Sequence, residues 1–306
     1  MISFNPETDI LDLSGKVIFI TGGNAGLGKE AALQIAKHNP SKIIIGSRDR
    51  FKGLAAIDFI TNIVPNAKFQ FIQMDLAALS SVHAAAKQFL STNIRLDILM
   101  NNAGIMAVPP GLTADGYEIQ FGTNHLGHAL LTRLLLPLML VTAEQPGSDV
   151  RIINLTSDSH KRAPVEGIQF DNLRSADQPS TAMMRYGQSK LANILYAKEL
   201  AKRYPSIKIA AVHPGVVKTD LQVTMRKSFL LARLLAPVFT YFVGVEVEEG
   251  AHNQLWAATA KGVKSGELYY PVGQSAEGTE LARNMDLAAE LWEWTEKRFT
   301  GSEYKL

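Results

Sequence analysis

Tyr186 and Lys190 stand four residues apart in Tyr186-Gly187-Gln188-Ser189-Lys190, a spacing that puts a phenol and an ammonium on one face of a helix. A free tyrosine ionises near pH ~10, so one that acts as an acid or base near neutrality needs roughly 4 kcal/mol of preferential phenolate stabilisation. A neighbouring cation can supply it. Leu191, Ala192, Ile194, Leu195, Ala197, Leu200 and Ala201 continue an apolar helical face, which predicts a buried and rigid support for both side chains. The spacing alone is a weak signal, because an amphipathic helix with a snorkelling lysine shows the same pattern. Tyr204 and Lys208 repeat it, but Pro205 and strand-like residues through Val212 keep that pair from sharing a helix.

The elements ahead of this pair give it weight. An apolar run at 16–20 leads into Thr21-Gly22-Gly23-Asn24-Ala25-Gly26-Leu27-Gly28, followed by a helical pattern through Ala31, Ala32, Leu33, Ile35 and Ala36. Strand, glycine turn and helix in that order predict the first βαβ unit of a dinucleotide site. Glycines there allow a tight turn and close approach to a pyrophosphate, whose charge the helix N-terminus favours. Gly22, Asn24, Gly26, Leu27 and Gly28 are the candidate contacts. A second strand at 42–45 ends in Gly46-Ser47-Arg48, and Arg48 lies 20 positions after Gly28, where the cofactor ribose is read. An acidic residue there would bind the 2′-hydroxyl of NAD. Arg48, with Ser47 and Lys52, points to the 2′-phosphate of NADP(H), with pairing to Asp49 as the competing use of the arginine.

Alternation continues with a helix at 51–62 and a strand at 69–74 that ends in Asp75-Leu76, where Asp75 either accepts from the adenine amino group or caps the helix starting near Leu79. A strand at 96–100 closes on Asn101-Asn102-Ala103-Gly104, whose small and amide residues suit a backbone pressed against a cofactor. The helix expected at 116–141 carries Asn124, a poor helix-interior residue that asks for a polar partner or bends the helix. A strand at 151–155 ends in Thr156-Ser157-Asp158-Ser159, with hydroxyls facing the crevice. After a strand at 207–212, His213-Pro214-Gly215-Val216-Val217-Lys218-Thr219 forms a rigid turn able to pass backbone and a hydroxyl close to a ligand.

Residues 221–247 break the rhythm with an apolar insert, read as a lid over an apolar substrate with Met225, Phe229, Leu230 and Met183 or Met184 as its contacts. Its most apolar part, 229–243, spans fifteen residues and contains Arg233 and Pro237, too short for a bilayer. No transmembrane segment is therefore expected, and a peripheral membrane contact stays open. A helix at 247–260, a strand at 268–270 and a terminal helix at 285–298 follow. Leu287, Leu291, Trp292 and Trp294 of the last are expected on the sheet edge or on a partner subunit, which leaves a homo-oligomer open.

Composition excludes other classes. A net charge of +2 without a polybasic run argues against nucleic-acid binding. The absence of cysteine excludes disulfides, thiolate metal sites and a cysteine nucleophile. His125 and His128 stand within one turn but lack a third ligand, so structural roles are expected for both and no metal. A polar, acidic stretch at 1–14 without an apolar leader predicts a cytoplasmic protein.

Four motifs, in order and over nearly the whole chain, resemble the short-chain dehydrogenase/reductase family. They are Thr21-Gly-x-x-x-Gly26-x-Gly28, Asn101-Asn-Ala-Gly104, Tyr186-x-x-x-Lys190 and Pro214-Gly215. Ser47-Arg48-Asp49, Asn124-His-Leu-Gly-His128, Ser189-Lys-Leu-Ala-Asn193 and Glu248-Glu-Gly-Ala251 are similar to a branch with retinol-dehydrogenase-like, WW-domain-containing and fungal NADP-dependent reductases. The resemblance implies one α/β domain over 1–306, a Rossmann-type doubly wound parallel sheet of about seven strands with the lid at 221–247. It also implies hydride transfer between NADP(H) and the carbonyl or alcohol carbon of a small apolar molecule, in secondary metabolism or of the retinol/steroid type.

In such a site Tyr186 is the acid/base, and Lys190 lowers its pKa and holds the nicotinamide ribose. Ser157, with Ser159 as the alternative 29 or fewer positions before Tyr186, steadies the substrate oxygen. Asn124 anchors a water leading to Lys190. Asn102, Ala103, Gly104, Asp75, Leu76, Pro214 and Gly215 line the cofactor, and Val217 and Thr219 meet its carboxamide. The loop with His160, Lys161 and Arg162 shapes the substrate entrance. A non-redox isomerase or dehydratase and a catalytically silent cofactor-sensing scaffold on the same fold remain the alternatives.

Overall fold

The computed structural model describes residues 3–175, 180–218, 244–301 and 304. Its strands are β1 (Val17–Thr21), β2 (Lys42–Ser47), β3 (Phe69–Gln73), β4 (Ile98–Asn101), β5 (Arg151–Leu155), β6 (Lys208–Val212), β7 (Leu268–Tyr269) and β8 (Ser275–Ala276). They form one sheet in the order β3-β2-β1-β4-β5-β6-β7-β8. All neighbours are parallel except β7, the strand expected at 268–270, and β8, which the sequence pattern did not signal; they form a short antiparallel edge pair.

The strands read as unbroken apolar runs because both sheet faces are covered. Alternation along each strand then sorts the side chains. Phe19, Ile44, Leu99, Ile152 and Ile209 enter one core, and Ile18, Ile20, Ile43, Ile45, Met100 and Ile153 enter the other. The first core is closed by α3 (Leu79–Thr92), α4 (Ile119–Ala143), α5 (Ala182–Arg203) and α7 (Met285–Arg298). The second is closed by α1 (Gly26–Ala36), α2 (Arg50–Ile63) and α6 (His252–Thr259).

α4 is not the plain helix expected at 116–141. One turn at Ile119–Phe121 passes into a π-helical turn at Gly122–Leu126 before α-helix resumes at Gly127. By length and composition α4 could cross a membrane, but 67% of its most apolar window is buried inside the protein, and it serves as a core helix.

α7 corrects a second expectation. Leu287, Leu291 and Trp292 do not cover the sheet edge; they join the core against α5, with Trp292 stacked on Tyr196 at 5.3 Å and Trp294 edge-on to Phe121 at 6.0 Å. Apart from 244–247, the insert at 221–247, with Met225, Phe229 and Leu230, lies outside the described residues, as does Thr219.

Candidate active site

The chain order reverses between β1 and β4, and a cleft of about 370 Å³ opens there, beyond the carboxyl ends of the strands. It is lined by Gly22, Asn24, Gly26, Leu27, Gly28, Arg48, Lys52, Asp75, Leu76, Asn102, Ala103, Gly104, Tyr186, Lys190 and Pro214, so most of the residues expected from sequence meet in one place.

At one end lies the glycine turn. Gly22 adopts φ +68°, and a β-carbon on it would stand 3.0 Å from that of Ala103. One on Gly28 would stand 2.5 Å from both Asn102 Nδ2 and the Gly22 carbonyl oxygen. Only glycine lets β1, α1 and the turn after β4 come this close. α1 begins after Ala25 with no side-chain cap and no acidic residue in its first turn, so its leading N–H groups are left for an anion.

Arg48 and Lys52 stand beside this end. Arg48 is exposed and forms no ion pair with Asp49, whose carboxylate instead accepts from the Lys52 N–H at 3.0 Å and caps α2. Asp75 does not cap α3. Its Oδ1 accepts from the Ala77 N–H at 2.9 Å, while Asp115, from a distant loop, accepts from the Leu79 N–H at 2.8 Å.

The middle of the cleft is built on Thr21. Its hydroxyl oxygen accepts from the N–H groups of Asn102 and Ala103, each at 3.0 Å, and the Asn102 amide donates to the Thr21 carbonyl at 2.8 Å. Asn101, by contrast, is a core residue donating to Asn154 and Thr132. Asn102 Oδ1 and Thr123 Oγ1 are buried, have no hydrogen-bond partner among the described residues and belong to residues lining the cleft. Sequence reading missed Thr123, because a hydroxyl in a helix gives no sign of being left unbonded.

At the far end the Ser157 hydroxyl lies near enough to the Tyr186 phenol to lower its pKa. Ser157, rather than Ser159, is thus the serine brought to the tyrosine. Ser157 Oγ also accepts from the Ser159 N–H at 3.2 Å, and the Ser157 carbonyl meets His160 Nδ1 at 2.8 Å. Gly187 makes this possible: a β-carbon there would lie 2.5 Å from the Ser159 carbonyl oxygen. His213 packs on Tyr270 with tilted rings 4.3 Å apart, and the next residue, Pro214, reaches the cleft. Gly215 and Val217 continue this stretch without lining the cleft, and Val217 packs under Gly250.

Lys190 Nζ donates to the Leu155 carbonyl at 3.1 Å and sits 5.6 Å from the Tyr186 ring centroid. Asn124 is fully buried behind them. Its Oδ1 accepts from the Ile105 N–H at 2.8 Å, and its Nδ2 donates to the Ile105 carbonyl at 2.9 Å and to Ser189 Oγ at 3.0 Å. The polar partner that Asn124 required is therefore the main chain just after Gly104.

The expected electrostatics are corrected here. Burial pushes the Tyr186 phenol up to about 12, opposed by the Ser157 hydroxyl, and burial pulls the Lys190 ammonium down to about 8. Loss of water around both groups sets the direction of each shift. His125 and His128 are neutral, pulled by burial to about 3 and about 4. They hold Asn193 and Thr295, and Thr21 and the Asn124 carbonyl, and among the described residues no metal-binding cluster exists.

The sequence model of the short chain dehydrogenases matches residues 16–169. The chain is 39% identical over 306 residues to a short-chain dehydrogenase/reductase of Aspergillus calidoustus, covering 95% of this chain and 96% of that one. It is 39% identical over 286 residues to retinol dehydrogenase 12 of Homo sapiens, covering 92% and 85%. Among solved structures, an uncharacterised protein of Mycobacterium paratuberculosis superposes with a TM-score of 0.75 at 29% identity over 96% of both chains. A glycine turn at the β1–β4 reversal, a tyrosine and lysine at the other end of one cleft, and relatives matched nearly end to end place this chain in the short-chain dehydrogenase family of oxidoreductases.

Proposed function

We propose that the protein is an NADP(H)-dependent oxidoreductase that moves a hydride between the nicotinamide and the carbonyl or alcohol carbon of a small apolar molecule. The observation that carries this reading is the buried Tyr186 phenol, beside Ser157 and near Lys190, in the same cleft as the uncapped start of α1.

The cleft fits a dinucleotide on its own chemistry. Free N–H groups at α1 suit a pyrophosphate, the unpartnered Asn102 Oδ1 and Thr123 Oγ1 suit polar ribose or amide groups, and Asp75 suits the adenine amino group. Arg48, unpaired by Asp49, favours a 2′-phosphate, with Lys52 beside it. Pro214 lines the cleft, and the stretch that follows it, with Gly215, Val217 and Thr219, is assigned to the carboxamide from the sequence.

When bound, the nicotinamide supplies or receives the hydride. The protein handles the proton. Tyr186, protonated at neutral pH, gives its proton to the substrate oxygen as negative charge develops there, and Ser157 steadies that oxygen by a hydrogen bond. Lys190 reaches from the Leu155 carbonyl to the ribose, and Asn124 fixes the main chain beside it: a β-carbon on Gly104 would lie 3.2 Å from Asn124 Oδ1 and 3.5 Å from Lys190 Nζ. By its sequence, the 221–247 insert covers the apolar substrate.

The test is to mix enzyme, NADPH or NADH, and a panel of aromatic ketones, polyketides, steroids and retinal, following the reduced-nicotinamide absorbance. Retinal is included because of the human relative. Alcohol formed in step with NADPH loss supports the reading. Product without an absorbance change indicates an isomerase or dehydratase, and tight NADPH binding with no turnover of any compound indicates a cofactor-sensing scaffold.

A further inference from the structure

The structural role expected for His128 has a specific content. Thr21 Oγ accepts two main-chain N–H groups, from Asn102 and Ala103, and both of its lone pairs are then used. Its own proton must go to an acceptor. Two stand near: the Met100 carbonyl at 3.4 Å and His128 Nε2 at 2.8 Å. The imidazole is at true hydrogen-bond distance, and it can accept only if Nε2 is bare. The other ring nitrogen, Nδ1, lies 3.0 Å from the Asn124 carbonyl oxygen, which can only accept, so Nδ1 carries the proton.

The directions close without conflict. Main-chain N–H groups at 102 and 103 donate to Thr21, Thr21 donates to His128, and His128 donates to Asn124. Both side chains, Thr21 and His128, are buried, and burial together with the nearby Lys190 keeps the imidazole neutral down to about pH 4. A doubly protonated ring would instead aim Nε2–H at a hydroxyl oxygen with no lone pair left.

We propose that His128 is a positioning residue that ties the turn at 102–104 to the π-helical turn bearing Asn124, so that the dinucleotide wall and the reacting end of the cleft keep a fixed separation. The hydrogen-bond chain spans three elements distant in sequence: the end of β1, the end of β4 and the middle of α4. Its kinetic consequence rests on the function proposed above; the chain itself does not.

Two substitutions separate the halves. His128→Asn keeps a donor near the Nδ1 position but leaves Thr21 without its acceptor. His128→Gln can accept from Thr21 at the Nε2 position but abandons the Asn124 carbonyl. We expect His128→Asn to weaken NADPH binding roughly threefold to tenfold, the worth of one buried hydrogen bond, with kcat little changed. His128→Gln should lower kcat by a similar factor with NADPH affinity retained. In a Thr21→Val background His128→Asn should add no further loss of affinity, because the link is already cut.

The readout that a merely space-filling histidine would not move is the imidazole ¹⁵N signature of His128 in the wild-type protein, which should be that of a neutral Nδ1–H ring. The proposal is overturned by a neutral Nε2–H ring, by a ring that titrates near neutrality, or by Asn and Gln variants that both match His128→Leu in affinity and in kcat. If the variants do not fold, the ring signature decides alone. If the wild-type protein binds no dinucleotide, the proposed function falls, while the ring signature and faster amide exchange of Asn102 and Ala103 in His128→Asn still decide the hydrogen-bond chain.

Discussion

The Lys190 ammonium lies 5.6 Å from the Tyr186 ring centroid and donates a hydrogen bond to the Leu155 carbonyl, while Ser157 is the neighbour that lowers the Tyr186 phenol against the rise that burial causes. Tyr186→Phe should therefore leave packing and NADPH affinity intact and lower turnover by about 10²–10⁴, the range for losing a positioned proton donor. Near-normal turnover of the best substrate would remove Tyr186 from the mechanism.

Lys190 gives a pH dependence with a definite sign. Its pKa in the fold is about 8, below the ordinary 10.5, so it is a cation below pH 8 and loses its charge as pH rises past that value. Tyr186 keeps its proton up to about 12. For carbonyl reduction, kcat/KM for NADPH should be level below pH 8 and fall above it, and Lys190→Arg, which stays charged, should move the fall upward. A profile with no break on the alkaline side, or one unchanged by Lys190→Arg, contradicts the ribose-holding role.

Arg48 is exposed beside the cleft and Asp49 is occupied as the cap of α2. Arg48→Ala should weaken NADPH by roughly 1.5–3 kcal/mol, the range for hydrogen bonds to charged groups, and leave NADH nearly unchanged. Titration of both nucleotides by fluorescence checks this. Equal losses for the two would mean that Arg48 supports the fold and not a 2′-phosphate.

Three neutral histidines make the fold acid-sensitive. His125, His128 and His213 are held at about 3, about 4 and about 4, below the ordinary 6.5. Between these values the unfolded chain binds protons that the folded chain does not, so the stability they contribute is present above pH 6.5 and is lost as pH falls toward 4. Each histidine can add a slope of about 1.4 kcal/mol per pH unit. Urea unfolding at successive pH values through this window should show the decline, and a flat midpoint would exclude it.

Gly187→Ala tests the contact that holds serine and tyrosine together. The added β-carbon meets main-chain atoms at Ser159, Ala163 and Arg162, at 2.5, 2.9 and 3.0 Å, which cannot move as a flexible side chain would. A stability loss of about 1–3 kcal/mol is expected, with turnover falling further than stability predicts because Ser157 and Tyr186 are pushed apart. Unaltered turnover in a folded variant would show that the Ser157 contact is dispensable.

Much of this was legible in the sequence where local chemistry and periodicity coincide. Residues 285–298 form α7 as their spacing requires, Thr21 to Gly28 link strand to helix, and Tyr186 and Lys190 share a helix. What escaped depends on contacts between distant elements. The π-helical turn at Gly122–Leu126 carries the tie from Asn124 to Ile105, and hydropathy spacing does not reveal it. The docking of α7 on α5 depends on a face that Tyr196 presents from another helix. The direction of the Tyr186 shift follows from burial, which a sequence showing only a nearby cation cannot weigh.

The groups at the reacting end are moored to the main chain: Lys190 to the Leu155 carbonyl, Asn124 to both polar atoms of Ile105, and Thr156 to the Lys190 carbonyl at 2.7 Å. Backbone atoms are common to all amino acids. Substitutions on the walls that meet the substrate can therefore accumulate without loosening these moorings, so selection or engineering can trade one substrate for another while inheriting the proton-handling apparatus whole.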